Sequence, residues 1–423
     1  MGFFGSKPKT PEQVFTPRSA EVNVAMYIPR PDLEEKLLQA LQGKLHVLIH
    51  GESGCGKSWL YKRVLSDKKW PYLPANLAIA SNMGSIAGAL KNAVDREGQA
   101  TKTGYVEKKG AEIGVPGVAK GGLEHTGQYE IGEKEPFEAC LSHCRAKAGS
   151  QPTFLVLENL EAIFADEKLM QELGNLITVL DDENYSKYNV RMIVVGVPSE
   201  VREYFTKLPN RQTIANRLKE IPEVAALTHD QIADFVNRGF RQELGYTIAD
   251  AEFDVLVNHI EWVTLGIPQR LHEYCLELAY LAQKQGNTVA TTMLEAADRS
   301  WLEAQMSNDF SVIQSIMNER ETKVGRRNQV LFALGRITRA EFRNPDVEAT
   351  IRSEFPQSTA SVTINVSQIL GDLASRQTPI IKKSSSKSDA YIFTDPRFRM
   401  CIRAMLRKDQ TTEQISHLDI KDL

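Results

Sequence analysis

Residues 51–58 read Gly51-Glu52-Ser53-Gly54-Cys55-Gly56-Lys57-Ser58, the spacing G-x-x-x-x-G-K-S. An apolar run, His46-Val47-Leu48-Ile49-His50, precedes them, and the helix-forming segment Trp59-Leu60-Tyr61-Lys62-Arg63-Val64 follows. Strand, glycine-rich turn and helix in that order make a turn whose backbone N–H groups, together with those of the helix N-terminus, surround phosphate oxygens. The glycines permit the close approach. In such a turn Lys57 reaches the β- and γ-phosphates of a nucleotide and Ser58 holds Mg2+. Glu52, Ser53, Cys55 and Trp59 complete the expected contact set around the phosphates. The x positions of the motif tolerate many residue types, so Cys55 receives no separate role. A coincidental glycine turn is the alternative, and the two flanks argue against it.

At 423 residues the chain exceeds one ordinary core. A prior of about 150 residues per domain suggests two or three domains. Hydrophobic content of 42% and charged content of 25% are those of a soluble globular protein, and no apolar stretch approaches the roughly 20 residues that cross a bilayer. Phe3-Phe4, followed by Lys7-Pro8-Lys9, is too brief for a secretory signal. A net charge of −3 supplies no global attraction to nucleic acid, so any such contact belongs to a local patch. Five cysteines without framework spacing fit a reducing cytoplasm. Cys140 and Cys144 share a helix face, which favours buried thiols over zinc.

The second chemical motif is Thr153-Phe154-Leu155-Val156-Leu157-Glu158-Asn159-Leu160-Glu161. Consecutive apolar residues ending in an acid describe a strand buried on both faces whose carboxylate emerges at the carboxyl end, where open α/β sheets bind ligands. Behind a phosphate loop, Glu158 fits the acid that orients Mg2+ and Glu161 the one that polarises attacking water. A core strand ending in a helix-capping acid is the alternative. A further buried strand at 190–196 leads to Ser199, a polar option for sensing the γ-phosphate. A strand is also expected over 72–79 and a helix from Ser85 to about Glu97.

These alternations predict a flexible tail at 1–20 and a parallel three-layer α/β core at 21–225, with a glycine-rich β-like insertion at 98–135. A helical domain is expected at 226–322. Helices near 326–337, 346–355 and 366–376, then strands at 379–383 and 390–394, make 325–410 a winged helix, and 411–423 a second tail.

The order of parts resembles AAA+-related phosphate-loop ATPases of the STAND and replication-initiator type. Tyr27-Ile28-Pro29-Arg30-Pro31-Asp32-Leu33 is similar to the element ahead of their first strand that lies against adenine, which implies a nucleotide contact for Arg30. Glu158-Asn159-Leu160-Glu161 looks like the second nucleotide motif of NACHT-type STAND proteins. It departs by having Glu in place of the usual Asp at 158, and Ala162 where a further acid is common. The resemblance places an arginine that touches a neighbouring subunit's nucleotide at Arg217, with Arg211 second. An exposed arginine in a sheet-to-helix connection is the alternative for either. Gly266-Ile267-Pro268-Gln269-Arg270 looks like the base of the helical lid, with Pro268 near the adenine and Arg270 a γ-phosphate sensor. Tyr391-Ile392-Phe393-Thr394-Asp395-Pro396 resembles the closing wing of an attached winged helix.

What the resemblance implies is an ATPase with ATP and Mg2+ as cofactors, a cytoplasmic location and assembly into a homo-oligomer, without a membrane partner. The first expectation is a switch that signals to a separate effector, with antiviral defence the context in related prokaryotic proteins. The alternatives are a DNA-binding AAA+ loader or regulator and a nucleotide-stabilised scaffold with negligible hydrolysis. DNA contact would fall on the wing lysines Lys382, Lys383 and Lys387, the alternative being a protein-docking module, since the helix at 366–376 carries only Arg376 against Asp372.

Overall fold

The computed structural model describes residues 9–97, 135–196, 214–317, 325–384 and 387–420. They form two compact units. One is made of Arg30–Ser53 and Lys57–Val224; the other gathers the residues up to Pro29, Gly54–Gly56 and everything from Ala225 onward.

The first unit is built on strands β1 (His46–His50), β2 (Tyr72–Asn76), β3 (Thr153–Glu158), β4 (Val190–Gly196) and β5 (Leu218–Glu220). They pair in the order β2-β3-β4-β1-β5, all parallel. Every β1 residue is buried, and in β3 only Glu158 is not, which is why each strand centres on an apolar run, Val47–Ile49 and Phe154–Leu157. Helices between the strands cover the sheet, and Leu90, Leu141, Leu157, Leu173 and Ile177 meet in one core. Burying each such side chain contributes about 1.5–3 kcal/mol. Strand β2 is shorter than the 72–79 expectation: Asn76 accepts the Ala78 N–H at 2.8 Å and caps a helix over Leu77–Met83 instead. The expected insertion at 98–135 lies outside the described residues save Glu135, and Ser199 and Arg211 lie outside them too.

The second unit holds the helices His229–Val236, Asp250–Thr264, Pro268–Lys284 and Leu294–Ile316. Gly266 makes the turn between the second and third: its φ is +68°, and a Cβ there would sit 2.8 Å from the Leu227 carbonyl oxygen. Pro268 then occupies the first helical turn, where a missing N–H costs nothing.

In the same unit, helices Arg326–Arg336, Asn344–Glu354 and Val366–Ser375 accompany a three-stranded antiparallel sheet of Phe342–Arg343, Ala390–Phe393 and Ile381–Lys383, in that spatial order. Helix Pro396–Met405 is buried from Phe398 to Met405 and packs on Leu294–Ile316. That packing joins the stretches 226–322 and 325–410, expected as separate domains, into one compact unit.

Within the two stretches expected as tails, residues 9–20 and 411–420 carry packed structure. Residues 9–20 carry a short helix, Pro11–Val14, behind a Thr10/Gln13 capping box, and Phe15 is wholly buried among Phe235, Phe240 and His272. At the other end Ile415–His417 pairs antiparallel with Leu406–Lys408, and the Glu413 carboxylate accepts the backbone N–H groups of Gln357 and Ser358, each at 2.9 Å.

Candidate nucleotide site

Strand β1 ends at His50, and the helix Lys57–Asp67 begins six residues after Gly51. Gly51 has φ +154°, and a Cβ added there would lie 2.4 Å from the Val224 carbonyl oxygen, so only glycine lets the chain leave the strand at this point. Gly56 has φ +90° with no atom within 4 Å of where a Cβ would stand, which leaves its open side facing space. Glu52 and Ser53 are exposed, Cys55 is buried and Trp59 half-buried. Lys57 folds back over the loop, its Nζ donating to the carbonyls of Gly51 at 2.6 Å and Glu52 at 2.9 Å. Gly54, which belongs to the helical unit, accepts the Gln269 N–H at 3.1 Å.

Across the sheet, Glu158 stands at the carboxyl end of β3, in register with Asn76 at the end of β2. Its Oε1 accepts the Ser58 hydroxyl at 2.7 Å and the Tyr61 hydroxyl at 2.9 Å. Ser58 and Tyr61 are three apart on one helix, so both hydroxyls leave the same face. Burial and the adjacent Glu158 push the Tyr61 phenol well above its ordinary range, so it stays a donor. Tyr72, edge-on to Tyr61 at 5.7 Å between ring centroids, is raised by the same two causes. Tyr61 was not foreseen as a site residue; its spacing from Ser58 was the available signal. Asn159, with φ +59°, turns the chain after Glu158 and donates to Asn76 Oδ1 at 3.0 Å. Glu161 follows, exposed, in the 3-10 helix Leu160–Ile163.

A hydroxyl and a carboxylate oxygen drawn from two elements to one point are the hard donors that Mg2+ takes alongside waters and phosphate oxygens. The Cβ-free side of Gly56 and the Lys57 ammonium likewise suit a phosphate chain, so these residues fit Mg2+ and a nucleoside triphosphate. Among the described residues no group of three or more His, Cys, Asp or Glu could hold a metal by itself. Cys140 and Cys144 are buried, and the hydrogen bond to Cys144, reinforced by burial, raises the Cys140 thiol.

Arg30 is the N-cap of helix Pro31–Gln42, its N–H donating to Glu34 Oε1 at 2.8 Å. Arg217 lies just before β5 with its Nε 2.5 Å from Asp181 Oδ2. Arg270 makes a two-pronged ion pair with Glu273, at 2.9 and 2.8 Å to the two oxygens, and that carboxylate is completely buried. Lys383 stacks 3.9 Å above the Tyr391 ring centre and Lys387 pairs with Glu341 at 2.9 Å, whereas Lys382 is exposed on the same strand.

Residues 39–205 match the AAA domain family. The fold is that of an AAA+ phosphate-loop ATPase. Among solved structures, the ORC2 protein of Aeropyrum pernix in its ADPNP–ADP complexes superposes with a TM-score of 0.50 at 14% identity, covering 94% of this chain and 98% of that one. A Walker-type ATPase of Pyrococcus abyssi gives 0.49 at 15% identity over 89% and 96% of the two chains, and Cdc6p from Pyrobaculum aerophilum 0.47 at 16% over 93% and 96%. No curated protein matches the sequence. At such identities the AAA+ likeness speaks for the fold, and the chemistry rests on the site itself. No helix among the described residues is long and apolar enough to cross a membrane.

Proposed function

We propose that this chain binds ATP with Mg2+ in its glycine loop, hydrolyses it, and uses the cycle to govern self-assembly on DNA. The observation that carries the reading is the meeting of Ser58 Oγ and Glu158 Oε1 at 2.7 Å beyond the carboxyl ends of the parallel strands. When bound, Mg-ATP supplies the scissile phosphoanhydride and the cation that spreads its charge. The chain's own residues do the rest. Loop N–H groups orient the phosphates, and Lys57 exchanges the carbonyls of Gly51 and Glu52 for phosphate oxygens. Glu158, steadied by Ser58 and Tyr61, holds the cation's ligand shell. Glu161 orients the attacking water and accepts its proton. Arg217, on leaving Asp181, serves a neighbouring copy's nucleotide in trans, with Arg211 the second option.

The DNA half of the proposal reads helices Arg326–Arg336, Asn344–Glu354 and Val366–Ser375, with their three-stranded sheet, as a winged helix. Ser367, Gln368 and Ser375 are exposed on helix Val366–Ser375 and carry neutral groups able to meet base edges. Lys382 is the wing's phosphate contact; Lys383 and Lys387 reach DNA only by leaving Tyr391 and Glu341. The fold likeness to the nucleotide-loaded Aeropyrum pernix ORC2 protein supports the nucleotide half of the proposal. No structural observation favours an effector-coupled defence role, and the DNA-directed reading takes its place.

The test is the solution mass of the protein with no nucleotide, with ADP, with ATP, and with ATP plus duplex DNA, using Glu161→Gln to hold the ATP state. A larger assembly with ATP and duplex, lost in Lys57→Ala, is expected. Failure of the wild type to bind ATP would refute the nucleotide half; assembly indifferent to duplex would refute the DNA half.

A further inference from the structure

Within the second unit, a cavity of about 320 Å3 opens between helix Asp250–Thr264 and the C-terminal elements. Its walls include Trp262, Phe332, Arg336, Arg403, Arg407 and Lys408. That volume lies at the lower end of those that hold small ligands, and is too small to receive a macromolecule.

The cavity has an excess of positive charge. Arg403 is only 8% exposed; its Nε donates to the Gly335 carbonyl at 2.7 Å and its Nη1 to the Trp262 carbonyl at 2.8 Å, while the guanidinium lies 3.7 Å from the Trp262 ring centre. Among the described residues no carboxylate pairs with it. Arg336 places a second guanidinium 4.9 Å from the same ring centre. The carboxylates at hand are shared out elsewhere: Glu354 takes Arg336 at 2.9 Å and Lys408 at 2.8 Å, and Asp298 takes Arg407 at 2.5 Å. Four cations thus line a cavity with one carboxylate, Glu354, and share Asp298 behind it as the only other carboxylate partner among the described residues. Burial, then repulsion from Arg399 and Arg336, lowers the Arg403 pKa to about 9. Stapling two carbonyls needs no charge, and a buried cation without an anion is costly, so the surplus requires a reason.

We infer that this cavity binds a small phosphoryl anion of up to mononucleotide size. Arg336 and Arg403 take the phosphoryl oxygens, for which the planar guanidinium fork is shaped, and Trp262 and Phe332 form the apolar wall. The site is independent of the glycine loop, which lies elsewhere in the sequence and uses none of these residues.

Calorimetric titration of the full chain carrying Lys57→Ala, which disables phosphate binding at the glycine loop, tests the inference with three probes: inorganic phosphate, pyrophosphate and AMP. Saturable binding at one site is expected, weakened tenfold to a hundredfold by Arg336→Gln or Arg403→Gln, as for loss of a charge-assisted hydrogen bond. Arg336 is exposed, so Arg336→Gln keeps the fold; Arg403→Lys keeps the charge but not the fork and replaces Arg403→Gln if that variant does not fold. AMP binding more tightly than the inorganic ions marks a nucleotide as the ligand, and the reverse marks a free phosphate. No saturable binding of any probe, or binding unchanged in both Arg336→Gln and Arg403→Lys, overturns the inference. Because the loop is disabled throughout, neither result bears on the proposed ATPase.

Discussion

Glu273→Ala should be among the most damaging single changes in the helical unit. The Glu273 side chain is 0% exposed and that of Arg270 is 9% exposed, so the pair sits in the interior. Besides the two contacts from Arg270, Glu273 Oε1 accepts Gln269 Nε2 at 3.0 Å, and Arg18 Nε stands 3.7 Å away. Removing the carboxylate leaves the Arg270 guanidinium buried without its anion, and breaking such a pair costs about 3–5 kcal/mol. Arg18, largely exposed, adds nothing that needs counting. For a unit of roughly 150–250 residues that corresponds to a fall of about 6–20 °C in melting temperature. Whole-chain melting would mix two units, so the better assay is amide hydrogen exchange in helix Pro268–Lys284, which reports the local opening free energy. The double replacement Arg270→Met with Glu273→Leu removes both charges at similar volume and should lie within about 1–2 kcal/mol of wild type. If Glu273→Ala alone costs less than about 1 kcal/mol, Arg270 has found water or another partner, and the pair does not order this helix.

Three further outcomes follow from the same geometry. Burial holds the His272 pKa at about 3 and that of His46 at about 4, from 6.5, and each Nδ1 accepts a backbone N–H, from Thr16 and Met192. Both are neutral when folded, and the unfolded chain takes up their protons below pH 6.5. Each contribution is complete above that pH and shrinks by about 1.4 kcal/mol per pH unit below it, down to the folded pKa. Denaturant titrations across that range should show the slope, and His272→Asn should flatten it in the helical unit; an unchanged slope would exclude His272 as its source. Phe15→Ala should cost about 3–5 kcal/mol by chemical denaturation, given a fully buried ring 5.0 Å from Phe240 between centroids, and a loss under about 1 kcal/mol would restore the view of residues 1–20 as a tail. Tyr61→Phe keeps the ring but removes one of the two hydroxyls that hold Glu158, so half-maximal ATP hydrolysis should need more Mg2+; an unshifted Mg2+ dependence would release Tyr61 from the site.

The glycine loop, the apolar strands and the acid closing β3 could be read directly because each is a local pattern: contiguous burial, positive-φ glycines and a strand end lie within a few residues of one another. Their partners could not. Its spacing from Ser58 puts the Tyr61 hydroxyl on the right helix face, but it joins the site only because β3 arrives opposite it from 97 residues away. Composition misled at the N-terminus for the opposite reason. Averaged over 1–20, Pro, Lys, Ser and Thr read as a tail, yet the fold turns on one aromatic ring, Phe15, whose value depends on Phe235, Phe240 and His272. The end of β2 fell between these cases. The capping signal at Asn76 is local, but an apolar run through Ile79 outweighs it until the side chain is seen to accept from Ala78. Charge was least legible of all. A near-neutral total hides a cavity where Arg336 and Arg403, from two different helices, converge on Trp262 of a third, and only the fold decides which of 51 cations lack an anion beside them. Surplus charge that folding gathers, rather than motif, is therefore where an unforeseen ligand site should be sought in this chain.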